Sequence, residues 1–270
     1  LPVIGNDSGV GEVTVMIRVV VCGAGGRMGM EVARVLAEQS DIELVGGVER
    51  VDHPAVGTAL GKGTIVSDLA QVLDKADVVV DFTVPAVTCA HAELCAQAGK
   101  PFLSGVTGLT EDQTAILKAC SHGIPLLHAP NFSVGVAVLR RLVEQAAKAL
   151  TREFDVEIVE VHHRRKKDAP SGTAKLLFEI VRQARAESSA CFSRAGQNGQ
   201  KPECQVGVSS VRTGDVVGEH TVIFGGPGER VELAHKAESR LAFASGVLAA
   251  VRFIKGRKPG LYSLDSILAG

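Results

Sequence analysis

The chain contains no tryptophan and a single tyrosine, Tyr262, among its 270 residues. A nucleic-acid surface built on stacked aromatic rings therefore has almost nothing to stand on. Charge of one sign is also missing. The 29 Lys and Arg are balanced by 30 Asp and Glu, a formal net charge of -1, whereas a general nucleic-acid binder carries a broad positive bias. No apolar run approaches the roughly 18–20 residues that cross a bilayer, so no membrane partner is expected. No charged-then-apolar signal pattern opens the chain; residues 1–15, rich in glycine and short polar residues, are expected to be a flexible leader whose native status is left open. The six cysteines include no C-x-x-C pair, which removes the commonest zinc and redox signatures. They are expected to be reduced thiols acting as small apolar residues of a cytoplasmic protein, or a stromal one in a plant, with no metal site.

What is present begins with βα alternation. Residues 17–22 form a short continuous apolar strand, as expected where both faces of a parallel sheet are covered. It runs into Gly23, Ala24, Gly25, Gly26, Arg27 and Met28, then into a helical pattern at 30–36. Glycines there let the backbone approach a pyrophosphate that sits at the helix N-terminus. Such a loop is a weak signal alone, since glycine-rich turns often serve packing; its setting between a strand and a helix strengthens it. A second strand over 42–48 ends in Glu49 and Arg50. Glu49 lies 26 positions after Gly23, near where an acidic residue accepts ribose hydroxyls. Arg50 beside it suits a 2′-phosphate, so NADH and NADPH are both candidate cofactors. The plain alternative is that Glu49 and Arg50 merely end an exposed strand.

Further units follow: strands at 77–83, 101–104 and 125–128, with helices at 85–98 and 110–121, the first begun by Pro85 and the second capped by Thr110. Ligands in such sheets bind beyond the carboxyl ends of the strands. Thr83, Thr107 and Asn131 are therefore expected on one rim, facing the nicotinamide. Helical spacing over 134–150 then leads to an alternating strand at 154–161, a helix from 174 to about 186, an exposed loop over 188–200, three strands between 204 and 237, and a helix from Ser239 to about 254. The change from α/β alternation to successive strands predicts a domain boundary near residue 133. The expected fold is α/β: a doubly wound parallel sheet up to about residue 133, followed by helix and successive strands in an antiparallel or mixed sheet whose left-over apolar face hints at an oligomer contact.

The strand at 154–161 delivers His162, His163, Arg164, Arg165, Lys166 and Lys167 into a loop, and Ser171-Gly172-Thr173 follows at a helix start. Proton donors, cations, hydroxyls and free backbone N–H groups together suit a small polyanion that also needs a proton. A solvated basic loop is the ordinary fate of a Lys/Arg run; the dinucleotide signals in the rest of the chain tip the balance.

On these residues the chain resembles the dihydrodipicolinate reductase family. The resemblance rests on V-C-G-A-G-G-R-M-G at 21–29, E-R at 49–50, D-F-T at 81–83, G-V-T-G at 105–108 and A-P-N-F-S-V-G-V at 129–136. E-V-H-H-R-R-K-K-D-A-P-S-G-T-A at 160–174, R-T-G-D-V-V-G-E-H-T at 212–221 and H-K-A-E-S-R at 235–240 complete it. It implies a Rossmann-like cofactor domain formed by residues 16–133 and a returning segment, 240–270, and between them an α+β substrate and oligomerisation domain with a mixed sheet (134–239). It also implies a homotetramer, and NAD(P)H-dependent reduction of a cyclic, conjugated imine with two carboxylates on the diaminopimelate route to lysine. It implies His162 as acid–base residue and Lys166 as second proton donor, with His163, Ser171, Gly172 and Thr173 on the substrate carboxylates. Gly105, Val106, Thr107, Ala129, Pro130, Asn131 and Phe132 join the fingerprint loop in holding cofactor. Val106 departs from the family's usual Thr but is expected to act through its backbone. Four successive cations exceed the usual pattern and leave open whether Lys167 adds anything.

Independent chemistry agrees. A cation near the ring nitrogen stabilises charge that develops in the transition state, and a histidine supplies a proton near neutral pH. Neighbouring strand residues point to opposite faces, so the strand is expected to finish between His162 and His163. A homoserine-type dehydrogenase would lack the 162–173 segment, and a sensor that had lost catalysis would have lost its proton donors.

Overall fold

The computed structural model describes residues 16–197 and 199–268; the expected leader, residues 1–15, lies outside the described residues. The chain runs β1 (Ile17–Cys22), α1 (Arg27–Ala37), β2 (Ile42–Val48), β3 (Ala59–Leu60), β4 (Gly63–Val66), β5 (Val78–Asp81), α2 (Pro85–Gln97), β6 (Phe102–Ser104), α3 (Glu111–Cys120), β7 (Pro125–His128) and α4 (Val134–Ala149). It continues through β8 (Asp155–His162), α5 (Gly172–Ala184), β9 (Ser189–Cys191), β10 (Gln205–Arg212), β11 (Gly218–Gly226), β12 (Glu229–Ala237), α6 (Leu241–Ile254), β13 (Gly260–Tyr262) and α7 (Leu264–Leu268).

The first sheet has the order β13-β7-β6-β5-β1-β2-β4-β3, parallel except for the short β3–β4 pair. Its apolar strands are apolar throughout because both faces are buried. Val19 and Val21 pack with α1 and α6 residues such as Val32, Leu36, Val247 and Val251. Val20 and Val79 pack on the other side with Ala92, Cys95 and Leu117 of α2 and α3. Thr110 and Gln113 form a reciprocal capping box at the start of α3, as the Thr110 reading anticipates. Ser239 lies one residue further out than a cap, at which Arg240 sits, yet its hydroxyl still accepts from Leu241 N–H at 3.2 Å.

The second sheet, β12-β11-β8-β10-β9, is mixed: β8 and β10 are parallel, β11 antiparallel to both its neighbours. Helices α4 and α5 cover one face, burying Leu139, Val143, Leu177 and Val181 against Ile158, Val208, Val222 and Phe224. The β11–β12 hairpin closes through the two residues Pro227 and Gly228, with Gly226 opposite Glu229.

Three differences from the sequence reading concern short elements. Residues 188–200 are not all loop, because Ser189–Cys191 pair in parallel with the start of β10. The β3–β4 pair and the closing β13 and α7 carry no periodic signal. Strands of two to four residues at a sheet edge are made by backbone pairing and leave no side-chain period to read.

Candidate active site

The fingerprint loop leaves β1 at Gly23, whose φ of +75° belongs to the left-handed region, and a Cβ there would lie 2.8 Å from the Phe82 carbonyl oxygen. Gly29 sits so close to the loop that a Cβ would come within 2.0 Å of the Gly23 oxygen; its absence lets α1 start directly against β1. The N-cap of α1 is Gly26, with no side chain competing for the first N–H groups. Those of Arg27 and Met28 have no acceptor inside the helix and form an anion-binding end. Glu49, at the end of β2, accepts from Gly25 N–H at 2.9 Å and from Arg50 N–H at 3.2 Å, so its carboxylate already lies on the loop. The Arg50 guanidinium is exposed and pairs with Asp52 at 3.1 Å. The His53 ring packs over Gly25, where a Cβ would meet it at 2.2 Å; no pattern in the sequence marks His53.

The ends of β5, β6 and β7 form one rim. Asp81 is fully buried and braces the loop after β5. Its Oδ1 accepts from Thr83 N–H (2.9 Å) and from the Thr83 hydroxyl (2.6 Å); its Oδ2 lies 2.6 Å from His91 Nδ1 on α2. Cys22 completes a buried trio with Asp81 and His91, with ligand-type atoms within 4.8 Å of one another, but both carboxylate oxygens are already engaged. Gly105 has room only for hydrogen, since a Cβ would come 2.1 Å from the Phe82 ring. Phe82 in turn tilts against Phe132 at a centroid distance of 5.9 Å. The Val106 side chain is buried, leaving its backbone to the rim, while Thr107 and Pro130 are exposed.

Strand β8 ends at His162, so His163 turns away into the loop as the strand argument requires. Along β8, Val156, Ile158, Glu160 and His162 share the buried face. Glu160, a residue the sequence reading did not single out, is the centre of this side of the site. Its carboxylate meets His162 Nδ1 at 2.5 Å and accepts from Ser171 N–H at 3.1 Å. Arg212 of β10 grips it with two prongs, at 2.7 and 2.8 Å. Burial alone would push the Glu160 carboxyl up; hydrogen bonds from Arg212 and His162 instead hold it down at about 2. Burial lowers the His162 imidazole's pKa, a shift that Glu160 opposes.

His220 of β11 stands edge-on to His162 at 5.2 Å, and burial together with His162 pushes its pKa down to about 4. Its Nε2 lies 3.0 Å from the Ser171 hydroxyl, whose oxygen also accepts from Ala174 N–H and so caps α5. With the third N–H of α5 capped, those of Gly172 and Thr173 remain for a ligand. Of the four cations, Arg164, Arg165 and Lys167 are exposed while Lys166 is half-buried, its Nζ 2.9 Å from Asp168. His163 is half-buried, with its Nδ1 unpartnered. The two halves of the site meet where Asn131 Nδ2 donates to Thr173 Oγ1 at 3.1 Å.

The missed residues had a partial signal. Asp155 and Glu157 lie on one face of β8, but the alternation slips at Val159, so Glu160 falls on the face of Val156 and Ile158. A carboxylate on the core side of a strand, two residues before a histidine, calls for a buried cation. Arg212 and His220 come from other strands, and only the sheet register shows that they oppose His162 and Glu160.

Comparison with known proteins agrees over almost the whole described chain. The model of the dihydrodipicolinate reductase N-terminus matches residues 17–132, and that of the C-terminus matches residues 135–268. The 4-hydroxy-tetrahydrodipicolinate reductase of Anaeromyxobacter sp. (strain Fw109-5) is 46% identical over 267 residues, covering 94% of this chain and 98% of the relative. That of Myxococcus xanthus (strain DK1622) is 43% identical over 265 residues, with coverages of 94% and 98%. Among solved structures, the dipicolinate-bound dihydrodipicolinate reductase from Paenisporosarcina sp. TG-14 superposes with a TM-score of 0.76 at 26% identity, covering 92% of this chain and 98% of that one. With both halves of its site built on the residues that these matches span, the chain belongs to the dihydrodipicolinate reductase family.

Proposed function

We propose that the protein reduces 4-hydroxy-tetrahydrodipicolinate to tetrahydrodipicolinate with NADH or NADPH, in the diaminopimelate route to lysine. The observation that carries this reading is the Asn131–Thr173 hydrogen bond, which joins the rim beyond β7 to the turn that offers free N–H groups to a carboxylate. The cradle at Gly23–Gly29 fits a dinucleotide: its glycines exclude side chains and the start of α1 is uncapped. When bound, NAD(P)H supplies the hydride. The N–H groups of Arg27 and Met28 hold the pyrophosphate. The Glu49 carboxylate, with lone pairs beyond its two backbone contacts, accepts from ribose hydroxyls, and exposed Arg50 reaches a 2′-phosphate. The rim from Gly105 to Thr107 and from Ala129 to Phe132 lines the nicotinamide end.

On the substrate side, Gly172 and Thr173 N–H groups, with His163, take the carboxylates. The Ser171 hydroxyl accepts from Ala174 N–H and lies 3.0 Å from His220 Nε2; in the tautomer that carries the proton on Nε2, the hydroxyl's own proton is left for the same anion. Lys166 places positive charge by the ring nitrogen and delivers a proton there, while His162 serves as acid–base residue. The neighbouring anions at Asp168 and Glu160 keep Lys166 and His162 oriented.

The assembly proposed is a homotetramer in the cytoplasm, with residues 16–133 and 240–270 as cofactor domain and 134–239 as substrate and oligomerisation domain. It is supported by the face of the second sheet opposite α4 and α5, where Val159, Val161, Val211 and Ile223 stand partly exposed. The deciding experiment supplies enzymatically generated substrate and follows nicotinamide absorbance. Consumption of NADH or NADPH that depends on that substrate is the expected result; none with either cofactor would overturn the reading.

A further inference from the structure

We infer that Glu160, clamped by Arg212, is a positioning residue for the reduction: it fixes the tautomer of His162 and ties the proton donor to the carboxylate-binding turn. The inference rests on His162 acting as proposed above. Three independent strands or turns converge on this one carboxylate. One oxygen takes Ser171 N–H and one prong of Arg212; the other takes the second prong and His162 Nδ1. Glu160 is wholly buried and His162 is 8% exposed, so water does not compete for these contacts.

A carboxylate only accepts. His162 must therefore carry a proton on Nδ1, which leaves Nε2 as the atom that gains or gives the proton in reaction. The same anion favours the imidazolium, and Arg212 keeps Glu160 from taking up a proton itself. The charged and titratable groups around His162 are Glu160 on its own strand, Arg212 on β10, His220 on β11 and Lys166 in the following loop. Of these only Glu160 is an anion. By holding Ser171 N–H as well, Glu160 sets the distance between His162 and the start of α5. A substrate seated on Gly172 and Thr173 thus meets Nε2 in register.

The test is Glu160→Gln. Its amide keeps one acceptor, so it cannot serve both Ser171 N–H and Nδ1–H as the carboxylate does. Nitrogen-15 imidazole spectra should show His162 as the Nδ1–H tautomer in the unaltered protein. In the variant they should show a lost or mixed preference and titration at lower pH. The pH profile of kcat should move its alkaline limb in the same direction, with kcat down by about 10²-fold at neutral pH and NADH affinity nearly unchanged. Arg212→Lys keeps the charge but not the two-pronged grip and should give a milder form of both effects; it stands in if Glu160→Gln does not fold. Unchanged His162 tautomer and titration, or a fall in kcat with an unmoved profile, would overturn the inference. His162→Gln separates the two claims. Full turnover in that variant would refute His162 as the proton donor, whereas the spectra report on Glu160 regardless of turnover.

Discussion

At the residue scale, burial sorts the run of four cations that the sequence presents as equals. Arg164, Arg165 and Lys167 project into solvent, and Arg165 finds an exposed partner in Asp215 at 2.8 Å. Exposed pairs of this kind contribute roughly 0–1 kcal/mol. Lys166 alone is held back, between His163 and Asp168. Lys166→Ala should therefore lower kcat by about 10²- to 10⁴-fold while leaving NADH affinity within about twofold of the unaltered protein. Lys167→Ala in parallel should leave kcat nearly unchanged. Stopped-flow turnover and fluorescence titration of NADH check the pair. Equal loss of turnover and cofactor affinity in Lys166→Ala would make the loop a scaffold rather than a source of protons.

At the scale of elements, the cluster under the second sheet makes stability depend on acid. The folded pKa of His220 lies at about 4, below its ordinary 6.5, so the unfolded chain binds a proton first as pH falls. The stability held by neutral His220 is complete above about 6.5 and is lost progressively down to about 4. Glu160, held at about 2 against an ordinary 4.5, extends the loss into a lower window, complete only as pH falls through its folded value. Melting temperature should thus drop between pH 6.5 and 4, where His162, His235 and His128, each also lowered by burial, act in the same direction. His220→Asn should make that part of the curve shallower without altering the fall below pH 4. An equally steep curve in the variant would show that His220 does not carry the effect.

The same cluster marks what was legible in the chain. The long elements announced themselves, because α3 and α4 have periodic faces and caps, and β1 and β7 are apolar on both sides. His162 and Lys166 could be placed from the order of residues along one strand and loop. Arg212 and His220, 50 and 58 positions after His162, could not, because register between strands is set by packing of the whole sheet. His91 was invisible for the same reason: it meets Asp81 only because α2 lies over β5.

At the scale of the whole molecule, β8 serves two surfaces at once. Glu160 and His162 face the site; Val159 and Val161 alternate with them on the opposite, partly exposed face, beside Ile223 of β11 and Val211 of β10. A homotetramer built on that face would bury what remains exposed of these side chains, at about 25 cal/mol per Å² of apolar surface removed from water, and in a symmetric interface each contact recurs in every subunit. Ile223→Lys should split the assembly, since an ammonium replaces an apolar side chain at every copy of the contact. Sedimentation velocity should show four chains in the unaltered protein and a smaller species in the variant, with unchanged far-ultraviolet dichroism. Because β8 would lose support on one face, turnover should fall while NADH, held by the first sheet, still binds. A single-chain species for the unaltered protein would remove the interface, and a dissociated variant with full turnover would show that β8 holds His162 in place without it.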